Sequence, residues 1–434
     1  MNRRCRYAED SLVAFNLGSD RFLQHSPPAH TNRVTESDIL TDPNQLTRRN
    51  LNDAERYVRT FERWRTTMGP SPGVDDIPLS EFTKGEIAKA LRLTAKAIND
   101  NAFNPRDHRE VLIPKSAGRF RTLNIPIVAE RIVARTLNLA LLDILDAQMP
   151  DAFHGYRRGR SIHTLLAALA RAYIPGQPFF VGTADVRDAF PSVTRLAVEQ
   201  ALNRFVPDQE LRDLLLLLTF SHSELGLPQG LATSTTLYNL VATHNLSWQS
   251  PGQDGSPHQL LYVDNHVYAG GSAESIEQAF GNHRRELERL GMDFTPPLAL
   301  TNLSEGKAEL FGFEFRISRG QATYTPTNAN WAKLEQAIRL AYLDSEPAAE
   351  AESQIKAWMS YNANTIGTVG VERLLRMISS YCQRNHIHLN LEPIRVAAIQ
   401  ASDRWSQLIA GPIPTVVTGD DLLEDSPRDT QETW

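Results

Sequence analysis

Apolar and polar residues alternate on both sides of a polar pair in the second half of the chain. Residues 260–263 and 266–269 have the period of about two that is typical of β-strands, and Asp264 and Asn265 separate them. The pattern predicts a β-hairpin whose turn is this pair. Asp and Asn are frequent turn residues because both tolerate positive φ, so a purely structural interpretation is open.

A second predicted strand also ends in a carboxylate. The apolar run that starts at Phe179 reaches Asp185 and then a sharp turn at Phe190. Two carboxylates at neighbouring strand ends can hold divalent cations for phosphoryl transfer. Asp185 and Asp264 together therefore raise a metal-site hypothesis that neither raises alone. Phe190 is either a core residue or, beside a nucleotide sugar, a group that excludes a 2′-hydroxyl.

Apolar positions at helical spacing predict most of the other elements. Ser80 and Ser161 are the expected N-caps of the second and fourth helices. From residue 328 onward the pattern is helical throughout, which predicts a separate small helical domain. The predicted helices span residues 53–68, 83–99, 129–148, 162–172, 195–205, 209–219, 273–290, 330–343, 351–363, 369–384 and 394–408.

Composition places the chain among globular proteins. Of its 434 residues, 41% are hydrophobic and 22% are charged, which suits about two or three domains. No apolar run has the length of a membrane span, and the N-terminus lacks an apolar signal core, so we expect a cytoplasmic protein with no membrane partner. Cys5 and Cys382 lie far apart, which argues against a disulfide framework. His386 and His388 have no third ligand nearby in the sequence and are interpreted as a surface pair.

Charge is distributed unevenly along the chain. The formal net charge of −6 argues mildly against a general nucleic-acid binder. However, arginines and lysines crowd between residues 106 and 171, whereas acidic residues concentrate at 346–352 and 420–432. Such asymmetry predicts one face for phosphate groups and an acidic, solvated remainder.

Two basic segments within this region suit phosphate binding. A predicted β-hairpin at 111–126 would lay basic groups over a triphosphate, and a Gly/Arg loop before the helix at 162–172 would clamp a nucleic-acid backbone. Both have an alternative as ordinary solvated basic turns. The basic residues are Lys115, Arg119 and Arg121 in the hairpin, and Arg157, Arg158 and Arg160 in the loop.

An ordered set of short motifs resembles the reverse transcriptase family, most closely its bacterial group II intron-like branch. The motifs cover about residues 70–315, and a helical region follows where the family has its thumb. Each motif is weak alone, whereas the whole set in the family's order and spacing is specific. The motifs are Gly73-Val-Asp75, Ile113-Pro-Lys115 with Arg121 and Ile125-Pro126, His154-Gly-Tyr-Arg157, Asp185 with Ala189-Phe190, Gly226-Leu-Pro-Gln-Gly230 with Ser234 and Asn239, Tyr262-Val-Asp-Asn265, and Leu310-Phe-Gly-Phe313.

The resemblance implies an α+β right-hand polymerase, with fingers, a palm built on an antiparallel sheet, and an all-helical thumb. The expected parts are a polar N-terminal arm (1–48), fingers and palm (49–325), a thumb (326–410) and an acidic disordered tail (411–434). Nothing after the thumb resembles the DNA-binding and endonuclease regions of mobile introns. The chain is therefore most similar to the stand-alone abortive-infection and "unknown group" reverse transcriptases of bacterial antiphage defence.

Residue by residue, the resemblance implies a polymerase site for Mg²⁺ or Mn²⁺. Asp185 and Asp264 match the metal-binding aspartates, and Val186 would offer its backbone carbonyl. Asn265 stands where the family usually has a second aspartate. It keeps the turn and an oxygen ligand but removes one charge, so weaker metal binding is expected. The other implied contacts are with the nucleotide for Lys115, Arg119, Arg121, Phe190, Gln229 and Lys307, with the template backbone for Arg157, Arg158 and Arg160, and with the primer end for Tyr262.

The expected function is RNA-directed DNA synthesis, with an RNA template, a DNA product and deoxynucleotides as partners. Proteins of this group often use a dedicated noncoding RNA, a second protein or further copies of themselves. Two alternatives are open: nucleotide addition without a template, and a nucleic-acid-binding subunit whose catalysis is weakened by Asn265. Because Asp185, Asp264 and Arg121 are all present, the active enzyme is favoured.

Overall fold

The computed structural model describes residues 40, 42–65, 68–114, 120–221, 226–249 and 256–411. The first part of the chain consists of helices and one β-hairpin. Its elements are α1 (Arg48–Leu51), α2 (Ala54–Trp64), α3 (Lys84–Asn99), β1 (Arg109–Pro114), β2 (Phe120–Ile125), α4 (Val128–Leu145) and α5 (Ile162–Ala172), with single 3-10 turns at Pro43–Gln45, Leu79–Glu81 and Asp146–Gln148.

A four-stranded antiparallel sheet follows, with helices between its strands. The elements are β3 (Phe180–Val186), α6 (Ala189–Ser192), α7 (Arg195–Phe205), α8 (Gln209–Phe220), α9 (Thr233–Asn245), β4 (His258–Tyr262), β5 (Asn265–Gly270), α10 (Ala273–Arg289) and β6 (Phe294–Asn302). The strand order is β4-β5-β3-β6, so β3 and β5 are central. The main hydrophobic core lies between α2, α3, α4, α7, α8 and α9 and extends to the end of β3.

The edge strand β6 is not apparent from the sequence because Pro296 and Pro297 interrupt it. Proline lacks a backbone N–H and is tolerated in sheets mainly at edges and bulges. Both conditions are met here, since β6 pairs with β3 alone and the register shifts between Thr183 and Asp185. The irregularity lies next to the strand end that carries the predicted carboxylate.

The last part of the chain is a small sheet followed by a helical unit with its own core. Trp358, Ile355 and Ile378 are among its buried residues. Tyr361 joins this unit to the preceding sheets, because its hydroxyl donates to the Phe311 carbonyl at 3.0 Å. The elements are β7 (Ala308–Leu310), β8 (Phe313–Ser318), β9 (Gln321–Pro326), α11 (Asn328–Ala341), α12 (Pro347–Tyr361), α13 (Ala363–Val369), α14 (Val371–Arg384) and α15 (Glu392–Ala410).

The predicted N-terminal arm extends too far into the chain. Residues 42–48 pack against the globular part: Leu46 is 1% exposed, and the Arg48 N–H donates to an Asp208 carboxylate oxygen at 2.9 Å. The reason is that Leu46 belongs to the main hydrophobic core although its neighbours are polar. Residues 1–39, 41 and 412–434, on which the rest of the arm and the acidic tail were predicted, lie outside the described residues.

Helix caps test the local predictions. Ser161 caps α5 as predicted, accepting a hydrogen bond from the Thr164 N–H. The prediction of Ser80 as the cap of α3 is wrong: Thr83 accepts from the Glu86 N–H, and the Glu86 carboxylate accepts from the Thr83 N–H. The reciprocal capping box requires Glu or Gln at the third helical position, which Thr83 has and Ser80 lacks.

These elements confirm the predicted α+β class, with an antiparallel central sheet and a helical unit after it. Among the described helices, none combines the length and the apolar character that a membrane crossing requires.

Candidate active site

The C-terminal end of β3 and the turn before β5 bring the two predicted carboxylates to the same end of the central strands, which forms one edge of the central sheet. Asp185 in β3 is paired in register with Asn265, the first residue of β5. The Val186 N–H donates to the Asp264 carbonyl oxygen at 3.1 Å, which fastens the turn to the end of β3. Asp185 is exposed and Asp264 is half-buried. Both acidic side chains therefore lie within reach of solvent at the same sheet edge.

The hairpin turn consists of Val263 and Asp264, not of Asp264 and Asn265 as predicted. Tyr262 pairs with Asn265, which leaves the two residues between them to reverse the chain. The φ angle is positive at Val263 (60°) and not at Asp264, the pattern of a type II′ turn. Glycine is the usual residue at the first position of such a turn. A β-branched valine there is strained.

Asn265 uses its side chain to hold Asp264. Its amide nitrogen donates to the Asp264 oxygen Oδ1 at 3.0 Å, and both residues are half-buried. A carboxylate at position 265 would instead bring two negative oxygens together. The departure from the family pattern thus removes one charge and supplies a donor to the remaining carboxylate. Metal ligation by Asn265 stays a prediction.

The pKa of Tyr238 in α9 indicates that both carboxylates lie near this residue, which the sequence did not identify. Burial raises its pKa well above 10, and the negative charges of Asp264 and Asp185 raise it further. Its ring stacks on that of Phe190, with centroids 5.4 Å apart and planes at 18°. Phe190 is therefore supported from the same helix that lies near both acids.

The turn before α9 anchors the β1–β2 hairpin. The Gln229 carbonyl accepts a hydrogen bond from the Asn124 N–H at 2.6 Å. Gly230 has φ of 114°, and a Cβ added there would lie 2.5 Å from the Asn124 carbonyl oxygen, so glycine is required at this approach. Arg121 is half-buried on the same strand as Asn124. The hairpin with the predicted triphosphate contact is thus attached beside Gln229. Lys115 and Arg119 lie outside the described residues.

The arginine loop before α5 is an internal element, which corrects the prediction that it clamps nucleic acid. All three guanidinium side chains are at most 15% exposed, and each has an acidic partner within the protein. Paired and buried in this way, they stabilise the loop and do not present charge to a phosphate backbone. The pairs are Arg157 with Asp146 (2.9 Å), Arg158 with Asp143, and Arg160 with Asp151 (2.7 Å).

Two other predicted contacts lie farther along the sheets. Tyr262, the last residue of β4, is half-buried and meets the Phe311 ring edge-on, with centroids 5.6 Å apart. Lys307 pairs with Glu314 of β8, and its hydrogen bond lowers the pKa of that carboxyl. The Lys307 ammonium is thus directed toward the small sheet. Its predicted role toward pyrophosphate, like the primer contact of Tyr262, stays a prediction.

The central antiparallel sheet thus has two carboxylates at one edge and the β1–β2 hairpin attached beside it, and a helical unit follows in the chain. Residues 113–296 match the family model described as reverse transcriptase (RNA-dependent DNA polymerase), so this segment of the chain is similar to that family. The matched segment contains Arg121, Asp185, Phe190, Gln229 and Asp264.

Several relatives are similar over part of the chain. The putative COX1/OXI3 intron 1 protein of Saccharomyces cerevisiae is 27% identical over 54% of this chain and 29% of its own length. Protein YkfC of Escherichia coli is 25% identical over 46% of this chain and 57% of its own. The group II intron-encoded protein LtrA of Lactococcus lactis is 22% identical over 37% and 26%. The chain thus spans less than two thirds of the length of each of these relatives.

Proposed function

We propose that the protein is an RNA-directed DNA polymerase that adds deoxynucleotides to a primer 3′ end by phosphoryl transfer with two divalent cations. The observation that carries the proposal is the convergence of Asp185 and Asp264 at one sheet edge beside Tyr238. The match of residues 113–296 to the reverse transcriptase family model supports the choice of an RNA template and a DNA product.

The residues at this edge fit divalent cations. Asp185 and Asp264 supply carboxylate oxygens and Val186 a backbone carbonyl, the ligand types that Mg²⁺ prefers. Within the part of the chain that the structure describes, no three His, Cys, Asp or Glu side chains could hold an ion by themselves. Mg²⁺ is commonly bound by one or two carboxylates together with substrate phosphates, so the site suits an ion that arrives with a nucleotide. When bound, the cations would neutralise phosphate charge and favour the ionised primer hydroxyl.

The protein's own residues would position the reactants. Phe190, supported by the Tyr238 ring, would lie against the sugar and exclude a 2′-hydroxyl. Arg121 would hold the triphosphate from the hairpin that the Asn124–Gln229 hydrogen bond attaches. Placement and charge neutralisation of this kind account for most of the catalysis in phosphoryl transfer.

Nucleotide incorporation by the purified full chain tests the proposal. The protein is given a primed RNA template, deoxynucleotides and either Mg²⁺ or Mn²⁺, and Asp185→Ala and Asp264→Ala are compared with the wild type. Asp100→Ala is a matched control, because Asp100 is an exposed carboxylate at the end of α3 that pairs with Lys96. Product should form with the wild type and the control and vanish in both site variants. Product from either site variant, or none from the wild type, contradicts the proposal.

Addition of nucleotides without a template is the second candidate. The amide at position 265 favours it, because Asn265 alters the site while leaving both aspartates in place. The incorporation assay separates the two functions when the template is omitted and when one deoxynucleotide is withheld. Templated synthesis stops at the first position that needs the missing nucleotide, whereas untemplated addition continues.

A role in antiphage defence, with a dedicated RNA or a second protein, is a further proposal that rests on the resemblance to stand-alone defence reverse transcriptases. Plating efficiency of phages on bacteria that express the wild type or Asp264→Ala tests it. Protection by the wild type that disappears in the variant is expected. Equal plating on both strains, for a broad panel of phages, counts against the proposal.

A further inference from the structure

The turn that carries Asp264 is strained at the preceding residue. Val263 has φ of 60°, which a β-branched side chain rarely adopts, and it is only 3% exposed. Such a conformation persists only where the surrounding structure holds it. The groups that hold Val263 therefore also determine where Asp264 lies.

Gly155 packs directly on this turn. A Cβ added to Gly155 would lie 2.6 Å from the Val263 backbone nitrogen and 2.9 Å from Val263 Cγ2, much closer than real Cβ atoms approach. The residues before Gly155 are bonded to β4: the His154 N–H donates to the Leu261 carbonyl, and the Leu261 N–H donates to the Ala152 carbonyl, both at 2.8 Å. Residues 152–155 thus form a fixed support behind Val263, which we call the Gly155 support.

Asn239 of α9 ties the Gly155 support to the helix beneath the site. Its amide nitrogen donates to the Gly155 carbonyl at 3.0 Å, and the side chain is 2% exposed. Without this amide, a buried carbonyl oxygen would lose its donor, which destabilises the support in its present position. The neighbouring residue Tyr238 supports Phe190. One turn of α9 therefore supports both Phe190 and the Gly155 support, which packs against Val263.

We infer that Asn239 is a positioning residue that fixes the Asp264 carboxylate through Gly155 and Val263. The inference rests on the proposed polymerase function. It adds the hydrogen bond from Asn239 to Gly155 as the contact that keeps Asp264 in one position. Asn239 acts only through the Gly155 support and touches no reactant. Small displacements suffice for a large effect, because a misplacement of about 1 Å can reduce a rate roughly a hundredfold.

Substitutions of Asn239, each with a matched control, test the inference. Asn239→Leu removes the donor at similar volume, and Asn239→Asp replaces it with a carboxylate. Asn52 is the control position, since it is another buried amide (5% exposed) that donates to a backbone carbonyl, that of Ala95 at 2.8 Å. The measurements are kcat and KM for nucleotide incorporation, Mn²⁺ bound to the free protein by electron paramagnetic resonance, and thermal unfolding.

We expect the Asn239 variants to lose about ten- to a hundredfold in kcat with little change in KM, and to bind Mn²⁺ several-fold more weakly. The Asn52 variants should unfold at lower temperature with wild-type kcat and Mn²⁺ binding. Asn239 variants that lose thermal stability but keep wild-type kcat and Mn²⁺ binding would overturn the inference. If Asn239→Leu does not fold, the nearly isosteric Asn239→Asp carries the same comparison.

Val263→Gly provides an independent test, because glycine adopts positive φ without support. In that background, Asn239→Leu should reduce kcat much less than it does beside Val263. Equal losses in the two backgrounds would also overturn the inference. If the wild type incorporates no nucleotide, the polymerase proposal fails, whereas the Mn²⁺ comparison between the Asn239 and Asn52 variants still tests the positioning role.

Discussion

Gly155→Ala should reduce polymerase turnover about a hundredfold in a protein that still folds. The added Cβ would lie 2.6 Å from the Val263 nitrogen, whereas ordinary contacts begin at 3.4 Å, so the two backbones must separate by 3.4 − 2.6 = 0.8 Å. Overpacking of this kind costs about 1–3 kcal/mol of stability. A shift of about 1 Å in a catalytic group costs roughly a hundredfold in rate.

The displacement should fall on the turn formed by Val263 and Asp264 and not on the Gly155 support. Two backbone hydrogen bonds with Leu261 and the hydrogen bond from Asn239 hold the support in place. Val263 and Asp264, by contrast, form the tip of a hairpin, and Val263 already lies in a strained conformation. The turn is therefore the softer of the two partners, and it carries Asp264, an aspartate of the proposed site.

Single-nucleotide incorporation gives kcat and KM for this variant, and thermal unfolding shows whether it is folded at the assay temperature. Gly85→Ala is the control, because no heavy atom lies within 4 Å of its added Cβ. This substitution in α3 should stabilise the protein by up to about 1 kcal/mol and leave kcat unchanged. A folded Gly155→Ala protein with wild-type kcat would refute the reasoning.

Three further predictions concern selectivity, stability and pH. Phe190→Val should raise ribonucleotide incorporation relative to deoxynucleotides by about ten- to a hundredfold, measured as the ratio of kcat/KM values; an unchanged ratio would contradict the sugar contact. Arg157→Met leaves Asp146 buried without its partner and should lower the free energy of unfolding in denaturant by about 3–5 kcal/mol. The half-exposed ion pair between Arg195 and Glu199 should contribute at most about 1 kcal/mol to the free energy of unfolding in the same measurement. Burial, with the charges of nearby arginines, lowers the pKa of His154 well below 6.5. The unfolded chain therefore binds a proton that the folded one does not, and stability should fall below pH 6.5 by about 1.4 kcal/mol per pH unit from this residue. His154→Gln should flatten that dependence.

The two carboxylates could be predicted from the sequence because their signals are local. Asp185 ends an apolar run, and Asp264 separates two short runs of strand-like period. Ser161 was predictable for the same reason, since its role as a cap depends only on the residues just after it. Features of this kind need no knowledge of distant partners.

Features that depend on distant partners could not be predicted in this way. The turn falls on Val263 because Tyr262 pairs with Asn265 and β5 pairs with β3, and this pairing overrides the low preference of valine for positive φ. The charge of Arg157 is visible in the sequence, but its buried partner Asp146 is not. The stacking of Tyr238 on Phe190 likewise depends on how α9 packs against α6, which the sequence does not show.

Asn265 changes the hydrogen bonding around Asp264 and leaves both aspartates of the candidate site in place. With a third carboxylate at this edge, the acidic groups would repel one another before any cation binds. The Asn265 amide instead donates to Asp264 at 3.0 Å, while the Val186 N–H holds the Asp264 backbone at 3.1 Å. Hydrogen bonds within the protein thus hold Asp264, and the missing carboxylate is expected to weaken the attraction for a cation. Catalysis benefits from groups that need no rearrangement when charge develops, so in the proposed polymerase the amide would favour a preorganised site to which the phosphates of the nucleotide help to bring the cations.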